Sequence, residues 1–273
     1  MKLVAVGECT RDRYLGRDIE TVGGISVNFA VMARRSGAEE AAVVSCAGTD
    51  AAGEAIRAKL AREGVDATRI HRLPGRTASQ AIRVTQGGER VFPPGGYDPG
   101  VLAQYRLDRD DLAFIGDFEV VAVPWFRQIA HLFWPAIEAA APGATRVADL
   151  LDGEDLGPDL AGIDSLLDRL DLLFISGDEE TVRRVTARSR QSATVVVVTH
   201  GADGSSALAH GRRYLEPAVA VPLEHRLDTT GCGDAFQAAF TVDYFRRRDI
   251  GSALRAGARA AAQVIRHLGA TGS

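Results

Sequence analysis

The sequence predicts an α/β protein in which helices cover both faces of a mostly parallel sheet and a small β lid projects from the sheet edge. Short apolar or β-branched runs alternate with helical patterns over most of the 273 residues, an order typical of βαβ units. Four valines at 195–198 suit a strand that is buried on both faces. Two stretches, 11–24 and 76–96, break the alternation with short extended pieces and turn residues, and we expect them to form the lid.

The core elements follow in a regular order along the chain. Strands are predicted at residues 3–7, 42–46, 120–123, 147–150, 172–175 and 194–199. Helices are predicted at residues 26–35, 51–63, 126–140, 178–189, 234–247 and 250–267. In the second lid stretch, Gln-Gly-Gly-Glu at 86–89 separates two short apolar runs and predicts a hairpin turn. The sequence shows no tandem repeat or low-complexity linker, so residues 1–273 are predicted to form one domain.

The composition is that of an ordinary globular protein and excludes several classes. Apolar residues make up 46% and charged residues 25% of the chain. A net charge of −4 and a pI near 5.9 argue against a broad nucleic-acid surface. The first apolar run is too short for a signal peptide or a membrane span, so we expect a cytoplasmic protein. The three cysteines, at positions 9, 46 and 232, show no spacing that predicts disulfides or zinc.

Lysine usage excludes one common way of binding nucleotide phosphates. Lys2 and Lys59 are the only lysines, and neither follows a glycine-rich loop, so no Walker-type P-loop is present. The first strand is also not followed by the Gly-x-Gly-x-x-Gly of dinucleotide-binding folds. If the protein handles nucleotide phosphates, it must use glycine amides, arginines and a metal ion.

The stretch Asp-Thr-Thr-Gly-Cys-Gly-Asp-Ala-Phe at 228–236 is the most informative in the chain. It places glycines and a carboxylate at the start of a predicted helix. The first amides of a helix lack intrahelical partners and lie at the positive end of its dipole, so they attract anions. Glycines let the backbone approach a bound group closely. The stretch therefore predicts a phosphate site beside a carboxylate.

A second cluster is expected at the carboxyl end of the first strand. Asp12 lies just beyond that strand, and Gly23 and Gly24 precede a helix with Asn28 in its first turn. Ligands of open α/β sheets bind outside the carboxyl ends of the strands. We therefore expect Asp12 and Asn28 to converge there on the hydroxyl groups of a ligand.

Together, the motifs resemble those of the PfkB, or ribokinase-like, family of sugar and nucleoside kinases. The family pattern GGxxxN, GxDxxG, an NxxE-like element, TxGxxG and DTxGxGD is matched in order at 23–28, 48–53, 176–179, 199–204 and 228–234. The resemblance implies a ribokinase-like three-layer sandwich with a β lid. It also implies transfer of the γ-phosphoryl group of ATP, with Mg²⁺, to a primary hydroxyl of a sugar.

The resemblance also implies roles for individual residues. Asp234 would be the catalytic base, and the anion that builds up during transfer would be held by Gly231, Cys232 and Gly233. Because a helix start lowers the pKa of a carboxyl, such a base would take its proton late. The remaining roles are substrate binding by Asp12, Gly24 and Asn28, nucleotide binding by Thr199, Gly201 and Gly204, Mg²⁺ binding by Glu179, and a K⁺ loop at Asp228 and Thr230.

The sequence departs from the family pattern at three positions, and none removes the base. Ile25 stands where a polar or small residue is common, so a substrate contact is expected to be missing. Ser176 replaces the usual asparagine and leaves Glu179 to bind the metal. Cys232 replaces a common alanine, which is harmless if only its amide acts.

The acceptor is less well defined by the sequence than the reaction. The lid stretch 89–92 and the segment 261–270 are similar to those of fructoselysine 6-kinases, which phosphorylate the 6-hydroxyl of a fructosamine. A ribose or nucleoside kinase is the alternative, although a base would have only Phe92 and Tyr97 to stack on in the lid. A catalytically idle ligand-binding protein of the same fold is a further alternative. A homodimer through the lid is also expected.

Overall fold

The computed structural model describes residues 1–272, apart from the side chain of residue 158, and contains a large and a small sheet. The fourteen strands are β1 (Lys2–Val6), β2 (Thr10–Tyr14), β3 (Ile19–Gly23), β4 (Glu40–Gly48), β5 (Ile70–Leu73), β6 (Ser79–Val84), β7 (Arg90–Val91), β8 (Tyr97–Asp98), β9 (Val120–Pro124), β10 (Thr145–Asp149), β11 (Leu172–Ser176), β12 (Val195–Thr199), β13 (Ser205–Ala209) and β14 (Arg212–Glu216).

The large sheet has nine strands in the order β14-β13-β12-β11-β10-β9-β1-β4-β5. The pairs from β12 to β5 are parallel, and β13 and β14 add an antiparallel edge. The chain leaves β1 for β4 on one side and later returns to β9 on the other side. This reversal of direction opens a crevice at the carboxyl end of β1, where ligands of such sheets bind.

Among residues 1–272, eight α-helices form the outer layers of the sandwich. They are α1 (Ile25–Arg35), α2 (Ala51–Arg62), α3 (Arg109–Ile115), α4 (Ala130–Ala139), α5 (Asp164–Leu167), α6 (Glu179–Ser189), α7 (Cys232–Arg247) and α8 (Ile250–Val264). Successive strand residues point to opposite faces. Leu3 and Ala5 therefore pack with α1, α2, α7 and α8, whereas Val4 and Val6 pack with the helices of the other face. The predicted three-layer α/β fold is confirmed.

Most of the small sheet comes from the two stretches that were expected to form the lid, and β8 lies just beyond the second of them. Its strands are ordered β3-β2-β6-β7, and β8 pairs with β6. The predicted hairpin at 86–89 is confirmed: β6 and β7 are antiparallel, and the Thr85 amide donates to the Glu89 carbonyl at 2.9 Å. That residues 1–273 form one domain stays a prediction, and Ser273 lies outside the described residues.

Several predicted boundaries were wrong, for local reasons. The helix expected from 126 begins at Ala130, because residues 126–129 form a turn in which the Ile129 amide donates to the Phe126 carbonyl. The last helix ends at Val264 rather than at 267. The sequence analysis missed α3, β5 and the antiparallel pair β13–β14. No helix among residues 1–272 is long and apolar enough to span a bilayer.

Candidate active site

The first turns of α1 and α7 meet at the crevice beside β1. The side-chain amide of Asn28 donates a hydrogen bond from Nδ2 to Oδ2 of Asp234 at 2.8 Å. Asn28 is only 4% exposed, and its Oδ1 has no hydrogen-bond partner within residues 1–272. A buried carbonyl oxygen without a donor is costly, so this atom is suited to accept a hydrogen bond from a ligand hydroxyl.

Asp234 is half-buried at the start of α7, and burial is the main influence on the pKa of its carboxyl. Burial raises the pKa of this carboxyl, while the hydrogen bond from Asn28 and the charge of Arg90 lower it. The expectation that the helix start would depress the pKa was therefore wrong in sign. Desolvation is the largest cause of the shift, because burial penalises the charged form of the carboxyl. A raised pKa makes Asp234 a stronger base once it has ionised.

Asp12 lies on β2 at the base of the lid and is 4% exposed. It accepts a hydrogen bond from the Thr10 hydroxyl at 2.8 Å. Gly23, on the neighbouring strand, lies directly against the Asp12 carboxylate, and any side chain there would displace it. Burial and the charge of Asp234 raise the pKa of Asp12 to about 7, while Thr10 and Arg90 oppose the shift.

Gly24 is the second glycine that this arrangement requires. Its φ is +98°, and a Cβ would lie 2.7 Å from the carbonyl oxygen of Glu8 and 2.9 Å from the amide of Thr10. The segment after β1 can therefore pass against the start of α1 only because residue 24 has no side chain. Gly24 thus positions Asp12 and Asn28 through the backbone.

Two further buried acids lie at this crevice, and the sequence analysis missed both. Glu8, 7% exposed, accepts a hydrogen bond at Oε2 from the Ile25 amide at 3.1 Å, and Asp149, the last residue of β10, accepts one from the Leu151 amide at 3.0 Å. Burial raises the pKa of each carboxyl to about 7, and the charge of Asp234 adds to both shifts. In the sequence, only their position at the ends of strands could have indicated a role in the site.

The start of α7 has amides that are free to bind an anion. Gly231 has a φ of +78°, and a Cβ there would overlap Ala270, so the turn requires glycine. The amides of Gly233 and Asp234 have no acceptor within residues 1–272, whereas the amide of Cys232 donates to the Thr229 carbonyl at 3.2 Å. Contrary to the expectation, the Cys232 amide is therefore not free to bind an anion, whereas the Asp234 amide is.

A cavity of about 500 Å³ opens from these amides toward the outer strands. Its apolar wall comes from residues 218–221 and from the side chains of α8. The predicted nucleotide-binding residues all line it, as do two residues at the start of α7: Thr199, Gly201, Gly204, Cys232 and Gly233. Ser176 also lines the cavity, and its hydroxyl lies 3.0 Å from that of Thr199.

The carboxylates of the expected metal ligands Glu179 and Asp228 are both bound by other residues of the chain. Glu179 is exposed at the start of α6, and both of its oxygens bind the guanidinium of Arg213, which lowers the pKa of the carboxyl. Asp228 is fully buried and accepts four hydrogen bonds, two from Thr230, one from the Tyr14 hydroxyl and one from the Gly269 amide. Asp228 thus holds the loop before α7 in place.

Comparisons with known proteins agree with this architecture. Residues 2–124 and 166–273 match the model of the pfkB family of carbohydrate kinases. The chain is 29% identical to a fructoselysine 6-kinase of Escherichia coli over 98% of both chains. It superposes on the adenosine kinase of Sinorhizobium meliloti with a TM-score of 0.86, 20% identity and coverage of 98% of this chain and 95% of that one. For the Arabidopsis thaliana ribokinase, solved with ribose and ATP, the TM-score is 0.77 at 20% identity, with 99% and 94% covered.

Proposed function

The chain belongs to the pfkB family of carbohydrate kinases and is a sugar kinase, and we propose that its acceptor is a sugar-amine of the fructosamine class, such as fructoselysine. In this reaction, the γ-phosphoryl group of ATP would pass to a primary hydroxyl of the sugar. The relative that is 29% identical over almost the whole chain is a fructoselysine 6-kinase, which supports this choice of acceptor.

The observation that carries the proposal is the excess of acid at the crevice. Glu8, Asp12, Asp149 and Asp234 interact through their charges, and burial raises the pKa of each. A neutral sugar would leave this cluster with only the charge of Arg90 to offset it. A cationic amine would stabilise the ionised carboxylates, because opposite charges in a poorly solvated site attract strongly. The acid cluster therefore favours a sugar that carries an amine.

The roles of the site residues follow from their positions. Asp234 would accept the proton of the attacking hydroxyl, while Asn28 and Asp12 would hold other hydroxyls of the sugar. The amides of Gly233 and Asp234, together with that of Gly231, would stabilise the charge on the transferring group, while the Cys232 amide is used by the Thr229 carbonyl. Phosphoryl transfer requires mainly positioning and charge stabilisation, which these groups supply. The nucleotide would lie in the adjoining cavity, against Thr199, Gly201 and Gly204.

Membership of this family implies ATP with Mg²⁺, which neutralises phosphate charge. Among the expected ligands, Glu179 would hold the ion through water, because Mg²⁺ retains several of its waters. Its exposed carboxylate would first have to leave Arg213. A K⁺ ion beside Asp228 and Thr230, a homodimer through the lid and a cytoplasmic location complete the proposal.

The proposal is tested by measuring phosphoryl transfer to a matched set of acceptors. We expect the highest kcat/KM for fructoselysine and a much lower value for the same compound acylated on the sugar-bearing amine, which removes the charge but keeps the reacting hydroxyl. Fructose, ribose and adenosine complete the set. Equal turnover of the charged and acylated compounds would show that the acid cluster does not select for the amine. A preference for ribose or adenosine would favour the alternative kinase, and no transfer to any acceptor would favour an idle binding protein.

A further inference from the structure

Arg90, on the lid strand β7, is fixed to the loop that precedes α7. Its backbone amide donates to the hydroxyl of Thr229 at 2.8 Å, and the Thr229 amide donates to the carbonyl of Gly88 at 2.9 Å. These two hydrogen bonds join the lid hairpin to the loop that carries Gly231. The lid therefore places residue 90 at a defined position relative to the start of α7.

The side chain of Arg90 is oriented but not neutralised. Its guanidinium lies over the ring of Phe92, 4.2 Å from the centroid. Within residues 1–272, no carboxylate lies within ion-pair distance of it, although most other arginines of the chain are engaged by acids or carbonyls. An arginine held on an aromatic face keeps its planar set of donors free for a ligand.

Arg90 also lies between the two halves of the site. It lines the 500 Å³ cavity together with Gly233 and Thr199, on the nucleotide side. On the acceptor side, its charge lowers the pKa of Asp12, Asp149 and Asp234. Arg226 lines the cavity as well, but its Nε donates to the Val221 carbonyl at 2.8 Å. Arg90 is thus the cavity arginine whose charge also acts on the acids of the acceptor side.

We propose that Arg90 is a catalytic residue that binds the phosphoryl group during transfer. The inference rests on the proposed phosphotransfer, and it adds a donor from the lid to the amides of α7. A guanidinium binds phosphoryl oxygens through two parallel hydrogen bonds and offsets the charge that develops on them. The chain has no P-loop lysine, and Arg90 supplies the positive charge that such a lysine would bring to the phosphates.

The test compares Arg90→Gln and Arg90→Lys with the matched lid variant Arg83→Gln, since Arg83 is exposed on β6 and does not line the cavity. We expect Arg90→Gln to lower kcat by about 10²–10³-fold, the range for loss of one donor to a developing oxyanion. Arg90→Lys should recover part of that loss, and Arg83→Gln should match the wild type. Because Arg90 is exposed and glutamine keeps part of its aliphatic chain, the Tm of Arg90→Gln should equal that of the wild type.

A binding measurement separates this inference from the choice of acceptor. By calorimetry without any sugar, Arg90→Gln should weaken ATP binding about tenfold, or about 1.4 kcal/mol, and leave adenosine binding unchanged. If wild-type protein phosphorylates no sugar-amine but this selective loss occurs, the acceptor assignment fails and the role of Arg90 stands. Equal weakening of ATP and adenosine, or a kcat within about threefold of wild type, would overturn the role of Arg90.

Discussion

Asn28 and Asp234, 206 residues apart in the sequence, are joined by a hydrogen bond of 2.8 Å between the first turns of α1 and α7. The bond occupies one oxygen of the Asp234 carboxylate and fixes its orientation. The Oδ1 of Asn28 remains without a partner in the described chain. The pair therefore presents a base and a hydroxyl acceptor side by side, as transfer to one hydroxyl of a polyol requires.

The first prediction concerns Asp234 as the base. Asp234→Asn keeps the shape of the side chain, so the protein should fold while kcat falls by about 10²–10⁴-fold, the usual contribution of general-base catalysis. Binding of ATP should persist, because the carboxylate acts mainly in the transition state. Steady-state kinetics with calorimetric ATP binding provides the measurement. Asp243→Asn, in the same helix, is the control and should leave kcat unchanged.

The second prediction concerns Asp12 as a ligand of the acceptor. Asp12→Asn should raise the acceptor KM by about tenfold, since a hydrogen bond to a charged group contributes about 1.5–3 kcal/mol. The ATP KM should change little, because Asp12 does not line the nucleotide cavity. Asp18→Asn, at an exposed position in the same lid segment, is the matched control. If the two KM values rise together, Asp12 has a structural role instead.

The third prediction is that the protein loses stability as the pH rises from about 4 to 7. Glu8, Asp12 and Asp149 have ordinary pKa values of 4.5, 3.8 and 3.8, which the fold raises to about 7. Between these values the folded protein binds more protons than the unfolded chain, so the free energy of unfolding falls with rising pH. Tm measured at pH 5 and pH 8 should show the decrease.

A variant of one buried acid isolates this effect. Asp149→Asn removes a charge that is costly in the folded state, so it should narrow the difference in Tm between pH 5 and pH 8. Asp117→Asn, at an exposed position, should leave the difference as it is in the wild type. A cationic sugar-amine should stabilise the wild type more at pH 8 than at pH 5, because the carboxylates are then ionised. If Asp149→Asn shows the same difference in Tm between pH 5 and pH 8 as the wild type, the Asp149 carboxylate is not a cause of the lost stability.

The fourth prediction separates the two glycines of the anion site. Gly231→Ala should destabilise the protein by at least about 1–2 kcal/mol, since an L-residue is strained at positive φ and Ala270 would be displaced. A Cβ at Gly233 meets no atom within 4 Å, so Gly233→Val should unfold close to the wild-type temperature. Its side chain would instead crowd the free amides and lower kcat by about tenfold or more. Thermal unfolding combined with kinetics resolves the two effects, and a large loss of Tm in Gly233→Val would contradict this division.

The sequence predicted those parts of the fold and site that depend on local patterns. Alternating apolar runs located the parallel strands, and the fixed spacing of Gly231 and Asp234 marked the helix start, because both features are set within a few residues. Glu8, Asp149 and Arg90 were not predicted, since their environment arises only when β1, β10 and the lid come together. The short antiparallel pair β13–β14 has an exposed outer strand, which leaves little apolar pattern.

The last prediction concerns Lys59, which is buried and does not line the nucleotide cavity. Its Nζ donates to the Gly272 carbonyl at 2.8 Å and so holds the C-terminal segment, in which the Gly269 amide binds Asp228. Lys59→Met should lower stability by about 1–3 kcal/mol, because buried carbonyls lose a charged donor. The ATP KM should stay within about threefold, since no step of nucleotide binding uses lysine. Thermal unfolding and kinetics test both statements, with Lys2→Met, half-exposed on β1, as the control. A rise of about tenfold or more in the ATP KM with unchanged stability would place Lys59 in nucleotide binding and refute this role.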